Sequence, residues 1–115
     1  GFRVQGRDQT QADKLLADAK LLAEAGADLL LMECMPAALA AQITREIPIP
    51  TIGIGAGRDT DAQVLVINDI LGLTEQPPKF SKNFLLETND IPGAMQKYVA
   101  DVKAGIFPGE ENSFN

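Results

Sequence analysis

The stretch Ala27-Asp28-Leu29-Leu30-Leu31-Met32-Glu33 decides the fold that this sequence predicts. Residues 27–32 form an apolar run with little polar alternation, which is typical of a parallel strand covered on both faces. The run ends at Glu33, and Pro36 then fits the first turn of a helix. We therefore predict a buried strand that leads directly into a helix and carries a carboxylate at its C-terminal end.

Helices and strands alternate on both sides of this segment. A helix is predicted over residues 10–25, with Thr10 and Asp13 as its caps and Gly26 as its stop. After the central strand, the pattern predicts a helix from Pro36 that ends before Pro48, and then a strand over residues 51–54. A helix from Asp59 or Asp61 to about Asn68 and a strand over residues 70–73 are predicted next. An irregular segment over residues 77–84 and a helix over residues 91–103 complete the prediction.

This alternation implies a parallel sheet, since each parallel crossover needs a helix that returns the chain to the same end. Three strands are too few for a buried sheet, and the chain opens without an initiator Met or a first strand. We therefore expect an α/β fold that is about half of a barrel, in a single partial domain at residues 1–105. Residues 106–115 form a polar tail with two aromatic anchors. The sequence favours a tail docked on another surface and a frayed terminus equally.

Composition limits the function. The chain has 115 residues, a formal net charge of -6, one cysteine and no histidine. The acidic balance argues against a nucleic-acid partner, because neutralising phosphates needs clustered Lys and Arg. No apolar run approaches the ~18 residues of a membrane span and no internal disulfide can form, so we expect a cytoplasmic protein without a membrane partner. Without histidine, proton transfer falls to carboxylates, Lys, Tyr or Cys34.

Glu33 is the strongest candidate for such chemistry. It follows an apolar strand, and in strand-helix barrels the C-terminal strand ends form the active face. We expect its carboxylate to meet substrate where water is limited. The structural alternative is a salt-bridged or capping glutamate.

Other motifs carry weaker signals. The loop over residues 53–57 could offer backbone N–H groups to an anion, but a tight turn that permits close approach is favoured. Asp59 and Asp61 stand where helix caps are expected and Asp69 precedes a predicted strand, so capping is favoured over metal binding. Cys34 is expected to be a small buried side chain. Lys79 and Lys82 are expected to be solvated.

Five segments together resemble the ketopantoate hydroxymethyltransferase family: residues 4–7 (Val-Gln-Gly-Arg), 31–36 (Leu-Met-Glu-Cys-Met-Pro), 52–57 (Ile-Gly-Ile-Gly-Ala-Gly), 79–84 (Lys-Phe-Ser-Lys-Asn-Phe) and 107–111 (Phe-Pro-Gly-Glu-Glu). The resemblance implies the C-terminal half of a (β/α)8 TIM-type barrel. It also implies transfer of a hydroxymethyl group from 5,10-methylenetetrahydrofolate to 3-methyl-2-oxobutanoate, giving 2-dehydropantoate in pantothenate biosynthesis. Magnesium is the metal that the resemblance implies, assisting enolisation of the keto acid.

The resemblance also assigns residues. Glu33 matches the family's catalytic glutamate, and Ile54, Val64 and Val66 match an apolar wall around the substrate's isopropyl group. The magnesium ligands are expected in the missing N-terminal half, so we expect no metal ligand here and an inactive fragment. The resemblance also implies a homo-oligomer, and a decamer is one candidate for its size. Asn68 and Asn112 occupy positions where, by this resemblance, some members of the family have histidine.

Two other functions stay open at this point. One is a carbon-carbon lyase or mutase that acts on 2-oxo acids, in the barrel group related to phosphoenolpyruvate enzymes. The other is a non-catalytic assembly module that retains the half-barrel surface. Folate-dependent consumption of 3-methyl-2-oxobutanoate would separate the first alternative from the transferase.

Overall fold

A computed structural model of the chain describes residues 2–115. Its elements, in chain order, are helix α1 (Gln9–Glu24), strand β1 (Leu30–Glu33), helix α2 (Ala37–Glu46), strand β2 (Thr51–Ile54), strand β3 (Ala62–Gln63), helices α3 (Ile67–Ile70), α4 (Leu85–Thr88) and α5 (Ile91–Lys103), and a 3-10 turn (Glu110–Asn112). Within residues 2–115, no helix combines the length and apolar character needed to cross a membrane.

The three strands form one parallel sheet in the order β1-β2-β3. Leu30 lies opposite Thr51 and Glu33 opposite Ile54, so the C-terminal ends of β1 and β2 meet at the same edge. The parallel α/β arrangement that the sequence predicts is therefore confirmed. Among the described residues the sheet has three strands, which do not form a closed barrel, so the barrel stays a prediction.

The two ends of α1 show how local chemistry sets its length. Asp8 is its N-cap and accepts a hydrogen bond from the backbone N–H of Gln11 at 2.9 Å, so the prediction of Thr10 and Asp13 as caps is wrong. The helix breaks at Gly26, whose φ of +104° is the left-handed conformation expected of a glycine stop. Pro36 precedes α2 as its N-cap instead of lying in its first turn.

The segment from residue 59 to residue 73 differs most from the prediction. The Asp61 carboxylate accepts a hydrogen bond from the backbone N–H of Thr51 at 2.9 Å, which draws this segment alongside β2. The ladder then continues as β3, with Val64 N–H donating to Gly53 C=O at 3.0 Å. The predicted helix from Asp59 or Asp61 is therefore wrong, and only the single turn of α3 forms.

The predicted strand over residues 70–73 is also wrong. Ile70 ends α3, and Gly72 turns the chain with a φ of +70°. Leu73 N–H donates to Asn68 C=O at 2.8 Å, which closes this turn. An apolar run of four residues does not separate a strand from the end of a short helix, because both bury such side chains.

Two apolar clusters hold these elements together. The first lies between α1, α2 and one face of the sheet, and its buried members are Ala19, Met32, Met35, Leu39, Ala40, Ile43, Ile47 and Ala56. The second lies under α5 and the loop before α4, and its buried members are Cys34, Leu65, Ile70, Phe80, Phe84, Ala94 and Phe107. Cys34 connects the end of β1 to this second cluster.

The tail over residues 106–115 docks on the rest of the chain. Phe107 is buried against Phe84, with ring centroids 5.2 Å apart. Phe114 C=O accepts a hydrogen bond from Ala37 N–H at 3.0 Å, at the start of α2. These contacts favour docking over fraying, whereas a domain boundary at residue 105 stays a prediction.

Candidate active site

Glu33 lies at the C-terminal end of β1, on the face of the sheet that the helices leave open. Side chains alternate between faces along a strand. Met32 is 3% exposed under α1 and α2, whereas its neighbour Leu31 is 57% exposed. Glu33 follows the same alternation as Leu31 and is exposed. Its carboxylate therefore projects from the uncovered face.

The predicted apolar residues share a row with Glu33. The register pairs Glu33 with Ile54, and Gly53 with Gln63 in β3. β3 ends at Gln63, and the same register continued by one residue puts Val64 next to Ile54 on the Glu33 face. Ile54 is half-buried and Val64 is exposed. The sheet thus brings one carboxylate and two apolar side chains together at its C-terminal edge.

Val66 lies just outside this row. It is exposed and forms the N-cap of α3, two residues past Val64. Because alternate residues of an extended segment share a face, Val66 extends the apolar surface beyond the edge of the sheet. The structure therefore brings Glu33, Ile54 and Val64 into one row and leaves Val66 beside it.

The turn after Glu33 is held in an unusual backbone conformation. Cys34 has a φ of +51°, which is uncommon for a residue other than glycine. Its N–H donates to Ile54 C=O at 3.0 Å, and its C=O accepts from Gln5 N–H at 2.8 Å. Met35 N–H donates to Gly55 C=O at 3.1 Å. These bonds on both sides of Cys34 fix the direction in which the chain leaves β1.

Two glycines permit the close packing around this turn. Gly55 has a φ of +65°, and a Cβ atom there would lie 2.8 Å from the ring of Phe80. Gly57 has a φ of +78°, and its Cβ would lie 2.5 Å from the Cβ of Ala37. The loop over residues 53–57 is therefore a tight turn under close contact, as the sequence analysis favoured.

Glu33 faces an open cavity of about 400 Å³ lined by Phe2, Arg3, Gln5, Glu33 and Cys34. Glu33 is exposed among residues 2–115, so the expectation that water is limited around it stays a prediction. Within that range the carboxylate forms no hydrogen bond or ion pair, so a salt-bridged or capping role has no support there. Burial raises the pKa of the Cys34 thiol, and the negative charge of Glu33 raises it further.

The three aspartates follow different structural roles. Asp61 accepts from Thr51 at the start of β2, and Asp59 is exposed. Asp69 is buried and accepts a hydrogen bond from the hydroxyl of Thr74. In the described part of the chain, no group of three or more His, Cys, Asp or Glu side chains is placed to hold a metal ion.

The two lysines of the loop before α4 make specific contacts. Lys79 Nζ donates to Ser113 C=O at 2.8 Å and lies 5.1 Å from the centre of the Phe114 ring. Lys82 Nζ pairs with Glu87 at 3.2 Å. Lys79 is exposed, as expected, whereas Lys82 is half-buried, and both side chains have partners that the sequence did not predict.

Asn112 makes side-chain contacts that the sequence did not predict, although its position was singled out as one where some relatives have histidine. It is 7% exposed, and its Nδ2 donates to Lys79 C=O at 3.2 Å and to Ser81 C=O at 3.1 Å. Nothing local predicts this, because the acceptors lie more than thirty residues earlier in the chain. A polar residue between two aromatic anchors in the tail was the available signal.

Comparison with known families identifies the family of this chain. A family model described as ketopantoate hydroxymethyltransferase matches residues 1–110. The chain belongs to the ketopantoate hydroxymethyltransferase family.

Similar curated relatives carry a common name. The chain is 70% identical over 114 residues to a 3-methyl-2-oxobutanoate hydroxymethyltransferase of Saccharophagus degradans, covering 99% of this chain and 42% of that protein. It is 53% identical over 116 residues to that of Escherichia coli, covering 100% of this chain and 44% of that protein. A probable enzyme of the same name from Schizosaccharomyces pombe is 52% identical over 115 residues, at 99% and 43% coverage. The chain thus spans less than half the length of these relatives.

Proposed function

We propose that the complete protein transfers a hydroxymethyl group from 5,10-methylenetetrahydrofolate to 3-methyl-2-oxobutanoate, giving 2-dehydropantoate. The family match supports the reaction, because the curated relatives are named for hydroxymethyl transfer to this keto acid. The observation that carries the role of this chain is the position of Glu33 at the C-terminal edge of a parallel sheet, beside apolar neighbours. In barrels of alternating strands and helices, that edge is where substrates bind.

Glu33 is assigned the proton transfer. The carbon C3 of the keto acid lies next to a carbonyl group, so its proton is acidic and its removal gives an enolate. The Glu33 carboxylate has no partner among residues 2–115 and can accept that proton. The enolate then forms a carbon-carbon bond to the methylene carbon of the folate while one of that carbon's two C–N bonds breaks, and the released nitrogen takes the proton that Glu33 accepted. Water replaces the second nitrogen on the methylene carbon, its oxygen becomes the hydroxyl oxygen of 2-dehydropantoate, and its proton goes to that nitrogen as tetrahydrofolate leaves.

Ile54, Val64 and Val66 are assigned to the substrate's isopropyl group. The first two lie in the same row as Glu33, which places an apolar surface beside the base. An isopropyl group held there would present C3, the carbon to which both methyl groups are attached, to the carboxylate. The arrangement supports selection of a branched keto acid over an unbranched one.

Magnesium does not fit the residues of this chain. The buried carboxylate of Asp69 accepts from Thr74, and that of Asp101 pairs with Lys97 at 3.2 Å, so neither belongs to a ligand set. Among residues 2–115, no group of three or more His, Cys, Asp or Glu side chains is placed to hold a metal ion. A magnesium ion bound elsewhere in the complete protein stays a prediction, and no step assigned to this chain passes through it.

Assembly and location belong to the same proposal. We expect the complete protein to be a cytoplasmic homo-oligomer, with a decamer as one candidate. Mass photometry of the purified protein measures the number of subunits directly. A monomer at micromolar concentration would contradict this part of the proposal without affecting the assignment of Glu33.

The function is tested with the complete protein, 3-methyl-2-oxobutanoate and 5,10-methylenetetrahydrofolate. We expect 2-dehydropantoate and tetrahydrofolate to appear in equal amounts, measured by mass spectrometry. Product formation should stop when the folate is omitted. Cleavage of the keto acid without folate would instead support a lyase, and the absence of any reaction would support an assembly module.

A further inference from the structure

We propose that Asn112 is a positioning residue for Glu33, acting through the loop that carries Phe80. This inference rests on the proposed function, because it assigns Asn112 a part in the proton transfer by Glu33. Asn112 lies in the tail and does not touch the row of Glu33. It acts through a short series of contacts that connects the tail to the turn after β1.

The first contact is between the Asn112 side chain and the backbone on both sides of Phe80. Its Nδ2 donates to Lys79 C=O at 3.2 Å and to Ser81 C=O at 3.1 Å, and its Oδ1 accepts from Gly109 N–H at 3.3 Å. An amide nitrogen with two hydrogens matches two carbonyl acceptors. Because Asn112 is buried, water does not replace these bonds without cost.

The second contact is between Phe80 and the turn. Phe80 is 3% exposed, and its ring lies so close to Gly55 that a Cβ atom there would be 2.8 Å away. Gly55 C=O accepts from Met35 N–H at 3.1 Å, directly after Cys34. A shift of Phe80 therefore changes the space available to the turn that fixes the direction of Glu33.

The turn is sensitive to such a shift because its backbone is strained. Cys34 holds a φ of +51°, which costs a residue with a side chain free energy and persists only where surrounding contacts enforce it. Those contacts include the second apolar cluster, where Cys34 and Phe80 are both buried. Loosening Phe80 would let Cys34 relax and would move the neighbouring carboxylate.

Asn112→Asp is the variant that tests this connection. It preserves the shape of the side chain but replaces the amide donor by an acceptor that faces two carbonyl oxygens. Asn115→Asp is the matched control, since it makes the same change at an exposed residue of the same tail. Both are made in the complete protein, and circular dichroism confirms that each variant is folded at the assay temperature.

The readout is exchange of the C3 proton of 3-methyl-2-oxobutanoate in D2O, followed by NMR without folate. We expect Asn112→Asp to lower the maximal exchange rate by about 10-fold and to change KM by less than about twofold, because misplacing a base lowers the rate more than binding. Asn115→Asp should exchange at the wild-type rate. If Asn112→Asp does not fold, Asn112→Ser removes the same donor and gives the same comparison.

A double-mutant cycle with Glu33→Gln separates positioning from general damage. If Asn112 acts through Glu33, adding Asn112→Asp to Glu33→Gln causes no further loss of exchange. A further loss of about 10-fold in that background, or wild-type exchange by Asn112→Asp alone, overturns the positioning role. Wild-type exchange by Glu33→Gln overturns the role of Glu33 as the base within the proposed function, so this failure is distinguishable from failure of the positioning role.

Discussion

The two faces of the three-stranded sheet have similar apolar side chains but different surroundings. Met32, on one face, is 3% exposed because α1 and α2 cover it. Leu31, its neighbour in the same strand, is 57% exposed on the other face. The covered face contributes the first of the two apolar clusters that hold these elements together. The open face carries Glu33, so its residues are available for substrate or for the remainder of a barrel.

Paired truncations on the two faces give the largest expected effect. Ile43→Ala removes a side chain that is 1% exposed under the covered face, and it should lower the free energy of unfolding of the complete protein by about 3 to 4 kcal/mol. If the barrel covers the open face, Leu31→Ala should cost about 2 to 3 kcal/mol in the same protein. Urea denaturation measures both values, provided that unfolding is two-state.

A change of less than about 0.5 kcal/mol for Leu31→Ala would show that this face stays in solvent. The proposal that a barrel encloses Glu33 would then be wrong. The comparison of the two variants cancels most differences in the unfolded state, since each loses a similar aliphatic side chain.

Glu33→Gln tests the chemistry of the open face. We expect turnover to fall about 100-fold or more, equivalent to about 2.7 kcal/mol in the transition state, because glutamine cannot accept the C3 proton. The KM for the keto acid should change little, and steady-state kinetics of the complete protein measures both constants. Glu24→Gln is the control, since Glu24 is exposed at the end of α1, away from the row.

Replacing two glycines tests how tightly the edge beside Glu33 is packed. Gly55→Ala places a Cβ atom against Phe80, whereas Gly105→Ala has a similar φ of +72° with nothing within 4 Å. Strain alone should cost about 1 kcal/mol at either position, and overpacking should add about 1 kcal/mol or more at Gly55. The difference in thermal unfolding isolates the contact with Phe80, and equal effects would contradict that contact.

The Cys34 thiol gives the smallest expected effect. Burial, followed by the charge of Glu33, raises its pKa in the folded protein. The unfolded thiol therefore loses its proton first as pH rises above about 8.5. This contribution to stability is complete below that pH and is lost between it and the higher folded pKa. Urea denaturation at pH 7 and pH 9.5 should show a decline that Cys34→Ser reduces. An unchanged decline in that variant would exclude the thiol as its source.

The parts of the fold with strong local signals were predictable. β1 and β2 are short apolar runs between glycine and proline residues, and α5 has a cap at Asp90 and a stop at Gly105. The position of Glu33 at a strand end follows directly from such a run. These features depend on neighbours in sequence, which is why the sequence alone identifies them.

The remaining features depend on contacts between distant residues. β3 forms because Asp61 bonds to the backbone of Thr51, and this bond competes successfully with helix formation. Asn112 reaches the backbone around Phe80 from more than thirty residues away. The exposure of Glu33 among residues 2–115 was also not predicted, since apolar neighbours in sequence do not show which face of a sheet is covered.

The central claim is that Glu33 projects from the open face toward C3 of the bound keto acid. The most direct test is a crystal structure of the complete protein with 3-methyl-2-oxobutanoate. We predict a carboxylate oxygen of Glu33 about 3 to 3.5 Å from C3, with the isopropyl group against Ile54 and Val64. A keto acid bound at the opposite rim of the barrel, or a Glu33 side chain within the outer helical layer, would contradict the account.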